Sequence, residues 1–152
     1  MFQTVLFVCV GYLSGSVLYA LIFARIFKKG DILEQSSDHN PGTANAFMYG
    51  GFWCGLFTLL FDLLKGFIPV YLFMHYGNAV KVDPFMAALV IAAPVIGHAF
   101  PLFYGFHGGK GIAVTFGCLA GLFPALEAFW VLVFFFIGFS TVLQISPHFF
   151  RT

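Results

Sequence analysis

The sequence predicts an all-α integral membrane protein, a bundle of five transmembrane helices forming one membrane domain over residues 1–152. Three observations predict it. First, 61% of the residues are hydrophobic and only 9% charged, with a mean hydropathy of +0.95, whereas a soluble domain carries about 25% charged residues. Second, the apolar residues gather into five runs (4–27, 46–74, 85–103, 112–123 and 126–145) divided by polar or Gly/Pro-rich segments. Third, Lys and Arg are unevenly shared between the segments that join those runs. The formal net charge of +1 creates no bulk field to recruit nucleic acid. Cys9, Cys54 and Cys118 all lie inside apolar runs, and they read as buried small hydrophobes rather than a disulfide framework or metal site.

The first run starts without a basic n-region, and its charges (Arg25, Lys28, Lys29) come after the apolar stretch. That is the pattern of a spanning helix with its N-terminus outside, not of a signal peptide. Gly11, Ser14, Gly15 and Ser16 give this helix a small-residue face for close packing. Next comes the one long polar segment, Lys28 to Asn45, dense in turn-forming residues. The run 46–74 exceeds the about 20 residues that a bilayer requires, so it is expected to tilt or break. A short loop (75–84) follows, and then a run that carries the chain back. The fourth run is short and Gly-rich and stops at Pro124; the fifth is crowded with Phe and Val. Arg25, Lys28, Lys29, Lys110 and Arg151 fall on one side and Lys81 on the other, which predicts N-terminus out, C-terminus in and both polar loops cytoplasmic. No internal repeat supports an inverted-repeat transporter.

The chemistry concentrates between Gly97 and Gly111. Gly108, Gly109 and Gly111 surround Lys110, so backbone N–H groups can converge beside a full positive charge and a helix start. This favours a phosphate. It is not a Walker A loop, because Tyr104 stands five residues before Gly109 and Gly111 follows the lysine. A tight interhelical turn with a snorkelling lysine is the plainer alternative, though a turn alone needs fewer glycines. Asp62 and Lys65 share a helix face inside an apolar run. They are either a structural ion pair or a second phosphate-binding cation with its positioner. In the polar segment Asn40, Gly42, Thr43 and Asn45 offer groups for polyol or phosphate oxygens, and Asp38 and His39 a base or a metal ligand. The plainer reading there is an Asx-type turn with Asn45 as helix N-cap. His98 is either a hydrogen-bonded helix-end residue or a general base.

These residues resemble the acyl-phosphate:glycerol-3-phosphate acyltransferase family of bacterial membranes. Its motif Gly-His-x-Phe-Pro-x-Phe-x-x-Phe-Lys-Gly-Gly-Lys-Gly is matched by Gly97, His98, Phe100, Pro101, Phe103, Phe106, Gly108, Gly109, Lys110 and Gly111. Asp-x-x-Lys-Gly-x-x-Pro is matched by Asp62, Lys65, Gly66 and Pro69, and Asn-x-Gly-x-x-Asn by Asn40, Gly42 and Asn45. The resemblance implies acyl transfer from acyl phosphate to the 1-hydroxyl of glycerol 3-phosphate, giving lysophosphatidic acid and phosphate. It implies no cofactor and no metal, and a multi-pass location in the bacterial plasma membrane. Catalytic roles then fall to Lys110, His98 and Asp38. Substrate binding falls to Asn40, Gly42, Thr43, Asn45, Asp62, Lys65, His107, Gly108, Gly109 and Gly111. The chain departs from the family pattern in five places. Ser37, Asp38 and His39 stand where Gly-Ser-Gly is usual, Met48 replaces an Arg, and His107 replaces a Lys. The family fold has seven helices, so a fragment lacking the last two is expected. A second reading is a non-catalytic membrane protein that retains the loop for lipid phosphate; a small-anion transporter comes third, because both polar clusters collect on one side.

Overall fold

The computed structural model describes residues 2–77 and 83–142, with side chains to residue 139. Eight α-helices and one 3-10 turn make up the regular structure, with no strand among the described residues. They are α1 (Phe2–Gly15), α2 (Tyr19–Ile26), α3 (Ile32–Gln35), α4 (Thr43–Gly50), α5 (Phe52–Tyr76), α6 (Pro84–Ala99), the 3-10 turn Leu102–Tyr104, α7 (Ile112–Ala120) and α8 (Glu127–Val142). Among the described residues, three stretches are long and apolar enough to cross a membrane: Phe2–Ile26, Phe52–Tyr76 and Pro84–Tyr104. The expected fourth run forms only the nine-residue α7, a rise of about 14 Å against the about 30 Å of a hydrocarbon core. The fifth forms α8 as far as Val142, and its remainder lies outside the described residues, as do Lys81, Arg151 and Ser146.

The first run is not one continuous helix. Leu18 is extended (φ −95°, ψ 91°) between α1 and α2, so the carbonyls around the break lose their helical partners. One of them, Val17 O, is used by the site. The run 46–74 breaks within its length. Gly51 takes φ +83° between α4 and α5, a conformation that favours glycine.

α5 shows why this bundle belongs in lipid. Its outward stripe is Trp53, Phe57, Leu60, Leu64, Ile68 and Leu72, and its inward face buries Thr58, Asp62 and Lys65. That is the inverse of a soluble amphipathic helix. Small residues let the neighbours close on it. A Cβ at Gly66 would strike the Val114 carbonyl, and one at Gly117 the Leu63 carbonyl, so α5 and α7 cross backbone to backbone. α1 and α6 meet likewise, Gly15 against Pro94. Pro94 and Pro69 lie inside α6 and α5 rather than at their ends. Cys54 and Cys118 are buried as expected, but Cys9 is exposed. It shares an outward stripe of α1 with Phe2, Leu6 and Leu13.

Candidate active site

Two loops meet where α4, α6 and α7 end or begin. The first, residues 36–42, is tied by its own side chains. Asp38 Oδ1 accepts from Asn40 N at 3.3 Å, and Asn45 Nδ2 donates to Asp38 Oδ1 at 2.8 Å and to Asn40 O at 2.9 Å. Asn45 is 6% exposed, so both amide protons are committed within the protein. The N-cap role considered for it falls to Gly42, since α4 starts at Thr43 and places Asn45 a turn inside. His39 donates from Nδ1 to Leu33 O at 2.9 Å and is not among the cavity-lining residues.

The glycine loop is folded onto His98. Gly109 N donates to His98 O at 3.0 Å, and a Cβ on Gly109 would strike the imidazole Nε2. Gly111 (φ +71°) then opens α7, whose first free N–H groups carry the positive end of the helix. The two loops join at two points. Lys110 N donates to Asn40 Oδ1 at 3.1 Å, and Lys110 Nζ donates to Asp38 Oδ2 at 2.8 Å. Hydrogen bonds from Lys110 and then Asn45 hold the Asp38 carboxyl at about 2, well below the usual 3.8. The Asp38 carboxylate, considered as a catalytic base, is here paired with the lysine.

Behind the loops lies a buried charged cluster. Lys65 Nζ contacts Val17 O at 2.6 Å, Asp62 Oδ1 at 2.8 Å and His98 Nδ1 at 2.9 Å. Lys65, Asp62 and His98 are only 3%, 1% and 2% exposed. The Asp62 contact is an ion pair without an aligned hydrogen bond at Oδ1, while Thr43 Oγ1 donates to Asp62 Oδ2 at 3.5 Å. An ammonium only donates, so His98 Nδ1 accepts, and the proton of a neutral ring sits on Nε2, facing Gly109. With Nδ1 occupied, the ring offers the cavity a donor. The general-base role considered for His98 is not what this arrangement supplies.

The loops and helices enclose a cavity of about 390 Å³. Its polar lining is Asp38, Asn40, Thr43, Asn45, Asp62, His98 and Lys110, with Gly42 and Gly111 also in the wall. Its apolar lining includes Leu59, Val114, Phe116 and Phe136. Lys65 does not line it: all its contacts point into the protein, and it reaches the site through His98. Gly108 and Gly109 shape the loop without lining the cavity, and exposed His107 bonds its own loop, Nδ1 to Gly105 O at 2.6 Å. Met48 is 69% exposed on α4. Phe116, Phe136 and the Val17 carbonyl could not be singled out from the sequence, because apolar residues in a chain this apolar carry no local mark.

Fold and site together define an all-helical membrane protein with a cavity lined by both polar and apolar side chains. Sequence comparison names the family. The model described as glycerol-3-phosphate acyltransferase matches residues 5–147, and the chain belongs to that family. It is 40% identical over 141 residues to the glycerol-3-phosphate acyltransferase of Actinobacillus pleuropneumoniae serotype 5b (strain L20), covering 90% of this chain and 69% of that one. It is 37% identical over 142 residues to that of Pasteurella multocida (strain Pm70), covering 91% and 68%. Among solved structures it resembles the crystal structure of PlsY (YgiH), an integral membrane glycerol 3-phosphate acyltransferase, in its glycerol 3-phosphate form. There the TM-score is 0.74 and the identity 30%, over 90% of this chain and 66% of that one. For the lysophosphatidic acid form of the same enzyme they are 0.73 and 29%. The chain thus spans about two thirds of the length of these relatives.

Proposed function

We propose that the chain transfers a fatty acyl group from acyl phosphate to the 1-hydroxyl of glycerol 3-phosphate, releasing lysophosphatidic acid and inorganic phosphate. The observation that carries this reading is the mixed lining of the cavity: its polar groups suit an anionic headgroup and its apolar side chains a hydrocarbon chain. Family membership and the ligands named for the PlsY structures support the acceptor. The work is done at the inner face of a bacterial plasma membrane, with the N-terminus outside and both loops cytoplasmic, as the distribution of Lys and Arg suggests.

Acyl phosphate arrives activated, so the protein's task is to align two substrates and neutralise their charge. Lys110 and the first amides of α7 hold phosphate oxygens, and Asn40 sets the Lys110 backbone. His98 directs its Nε2 proton at an anionic oxygen, and Phe116 and Phe136 hold the acyl chain. In the transfer the bond from acyl carbon to phosphate oxygen breaks and the bond from acyl carbon to the glycerol oxygen forms. The departing phosphate takes the hydroxyl proton.

The test is lysophosphatidic acid formation by membranes carrying the protein, supplied with acyl phosphate and glycerol 3-phosphate. Lys110→Ala removes the charge at the developing phosphate and should cost about 100-fold or more. Full activity in Lys110→Ala refutes the assignment. Phosphate binding without acyl transfer by the parent protein would select the non-catalytic reading.

A further inference from the structure

We propose that Asp38 is an internal competitor for substrate phosphate: its carboxylate occupies Lys110 and must be displaced before an anion can bind there, so it sets the affinity of the site. The inference rests on the reading of Lys110 as the phosphate-binding cation. Three observations carry it.

The Asp38 carboxylate is held in place. Oδ1 is gripped by the largely buried amide of Asn45 at 2.8 Å, which presents Oδ2 to Lys110 Nζ at 2.8 Å. The lysine does not depend on that contact for its position, since its backbone N–H is already bonded to Asn40 Oδ1 at 3.1 Å. Breaking the ion pair therefore leaves the loop joined. Lastly, the pair lies at the mouth of the cavity, where the Lys110 and Asp38 side chains are 63% and 41% exposed, so an anion from water can exchange with the carboxylate.

The charge balance of the pocket makes the competition matter. Among the described residues that line the cavity, Lys110 is the one Lys or Arg, while Asp38 and Asp62 both bring carboxylates. Lys65 is spent on Asp62, its ion-pair partner at 2.8 Å, which leaves the Asp38 carboxylate against Lys110. A phosphate entering this pocket meets its one lining cation already neutralised, and the displaced carboxylate remains nearby as a like charge.

The discriminating variant is Asp38→Asn. Its side-chain oxygen can still accept from Asn45 while the charge that competes for Lys110 is gone. Isothermal titration of the purified, detergent-solubilised protein with inorganic phosphate reads the effect without any need for turnover. An exposed ion pair of this type is worth a factor of about two to five. Phosphate should bind Asp38→Asn tighter by at least about that factor, and in an active enzyme KM for glycerol 3-phosphate should fall in parallel. Asp38→Ser, which also gives up the Asn45 contact, should tighten binding in the same direction. Unchanged or weaker phosphate binding in folded Asp38→Asn overturns the proposal. So does unfolding of both variants, which would make Asp38 a structural strut. An inactive parent protein that binds phosphate more tightly once Asp38 is neutralised would sink the proposed reaction and leave this inference standing.

Discussion

Replacing Lys65 by Met tests whether the buried cluster is a strut for the site or a binding group within it. Lys65→Met leaves Asp62, 1% exposed, without its counter-charge, and strips Val17 O and His98 Nδ1 of their donor. Removing one partner of a buried ion pair costs about 3–5 kcal/mol. The orphaned carbonyl and imidazole nitrogen add about 1–3 kcal/mol each, though the terms overlap and do not sum. A loss of at least about 3 kcal/mol corresponds to a fall in Tm of roughly 6–12 °C for a chain of this size. A thiol-reactive dye suits the measurement, because Cys54 and Cys118 are buried in the fold and become accessible as it opens. The double variant Asp62→Leu/Lys65→Met removes both charges and should recover most of the loss, since a buried pair exchanged for apolar side chains is often neutral or better. Activity should stay low in the double variant, because His98 still lacks the donor that places its proton on Nε2. Two outcomes refute the reasoning. A Tm within a degree or two of the parent in Lys65→Met means the pair carries no structural weight. Full activity in the double variant means that His98 needs no orientation from Lys65.

Three further predictions follow from the same geometry. Gly109→Ala pushes a methyl group into the His98 ring, so kcat should fall severalfold or more with membrane insertion intact, as judged by acyl transfer at equal protein in the membrane. His98→Ala removes a donor from the polar lining, and should lower kcat by about 10²-fold with a smaller effect on KM for glycerol 3-phosphate. The Asp38–Lys110 pair gives an acid-side signature. Its carboxyl titrates at about 2 when folded against 3.8 unperturbed, so its contribution is complete above pH 3.8 and is lost as the pH falls towards 2. Melts followed by the fluorescence of Trp53 and Trp130 should therefore differ between parent and Asp38→Asn above that window and converge within it.

Much of the site was legible because chemistry stands out in an apolar chain. Asp62, Lys65 and His98 were conspicuous as polar residues at membrane depth, and the glycines around Lys110 had few other uses. What the residue pattern left open was direction. Spacing placed Lys65 on the same helix face as Asp62, which the structure bears out. Whether its ammonium turned toward the pocket or into the protein depended on Val17 O, a carbonyl freed by a helix break that nothing in an apolar run of such length announces. The N-cap of α4 was open for the same reason. Asn45 is a good capping residue by type, yet Gly42 starts the helix, because Asn45 is needed a turn later to hold Asp38 and Asn40. Of the five apolar runs, the first three have the length to cross a membrane among the described residues. The fourth starts at Ile112, where its run begins, and falls short at the other end, since α7 stops at Ala120 ahead of Pro124.

The irregular points of this chain are also the points on which the site depends. The break at Val17 frees a carbonyl, the carbonyl helps fix Lys65, and Lys65 fixes the ring of His98. Gly109 then brings the loop against that ring, close enough that no side chain fits between. Two of these links, the break at Val17 and the glycine loop, are departures from regular helix, in a bundle whose α1–α6 and α5–α7 crossings are glycine-mediated. A bilayer provides no water to satisfy an interrupted helix, so a break at that depth persists only if another group in the protein takes up its polar atoms. Here that group is a lysine whose charge also serves the histidine beside the glycine loop. The cost of the break and the orientation of His98 are therefore coupled, and substitutions at Val17 or its neighbours that restore a continuous helix should stabilise α1 while disarming the site.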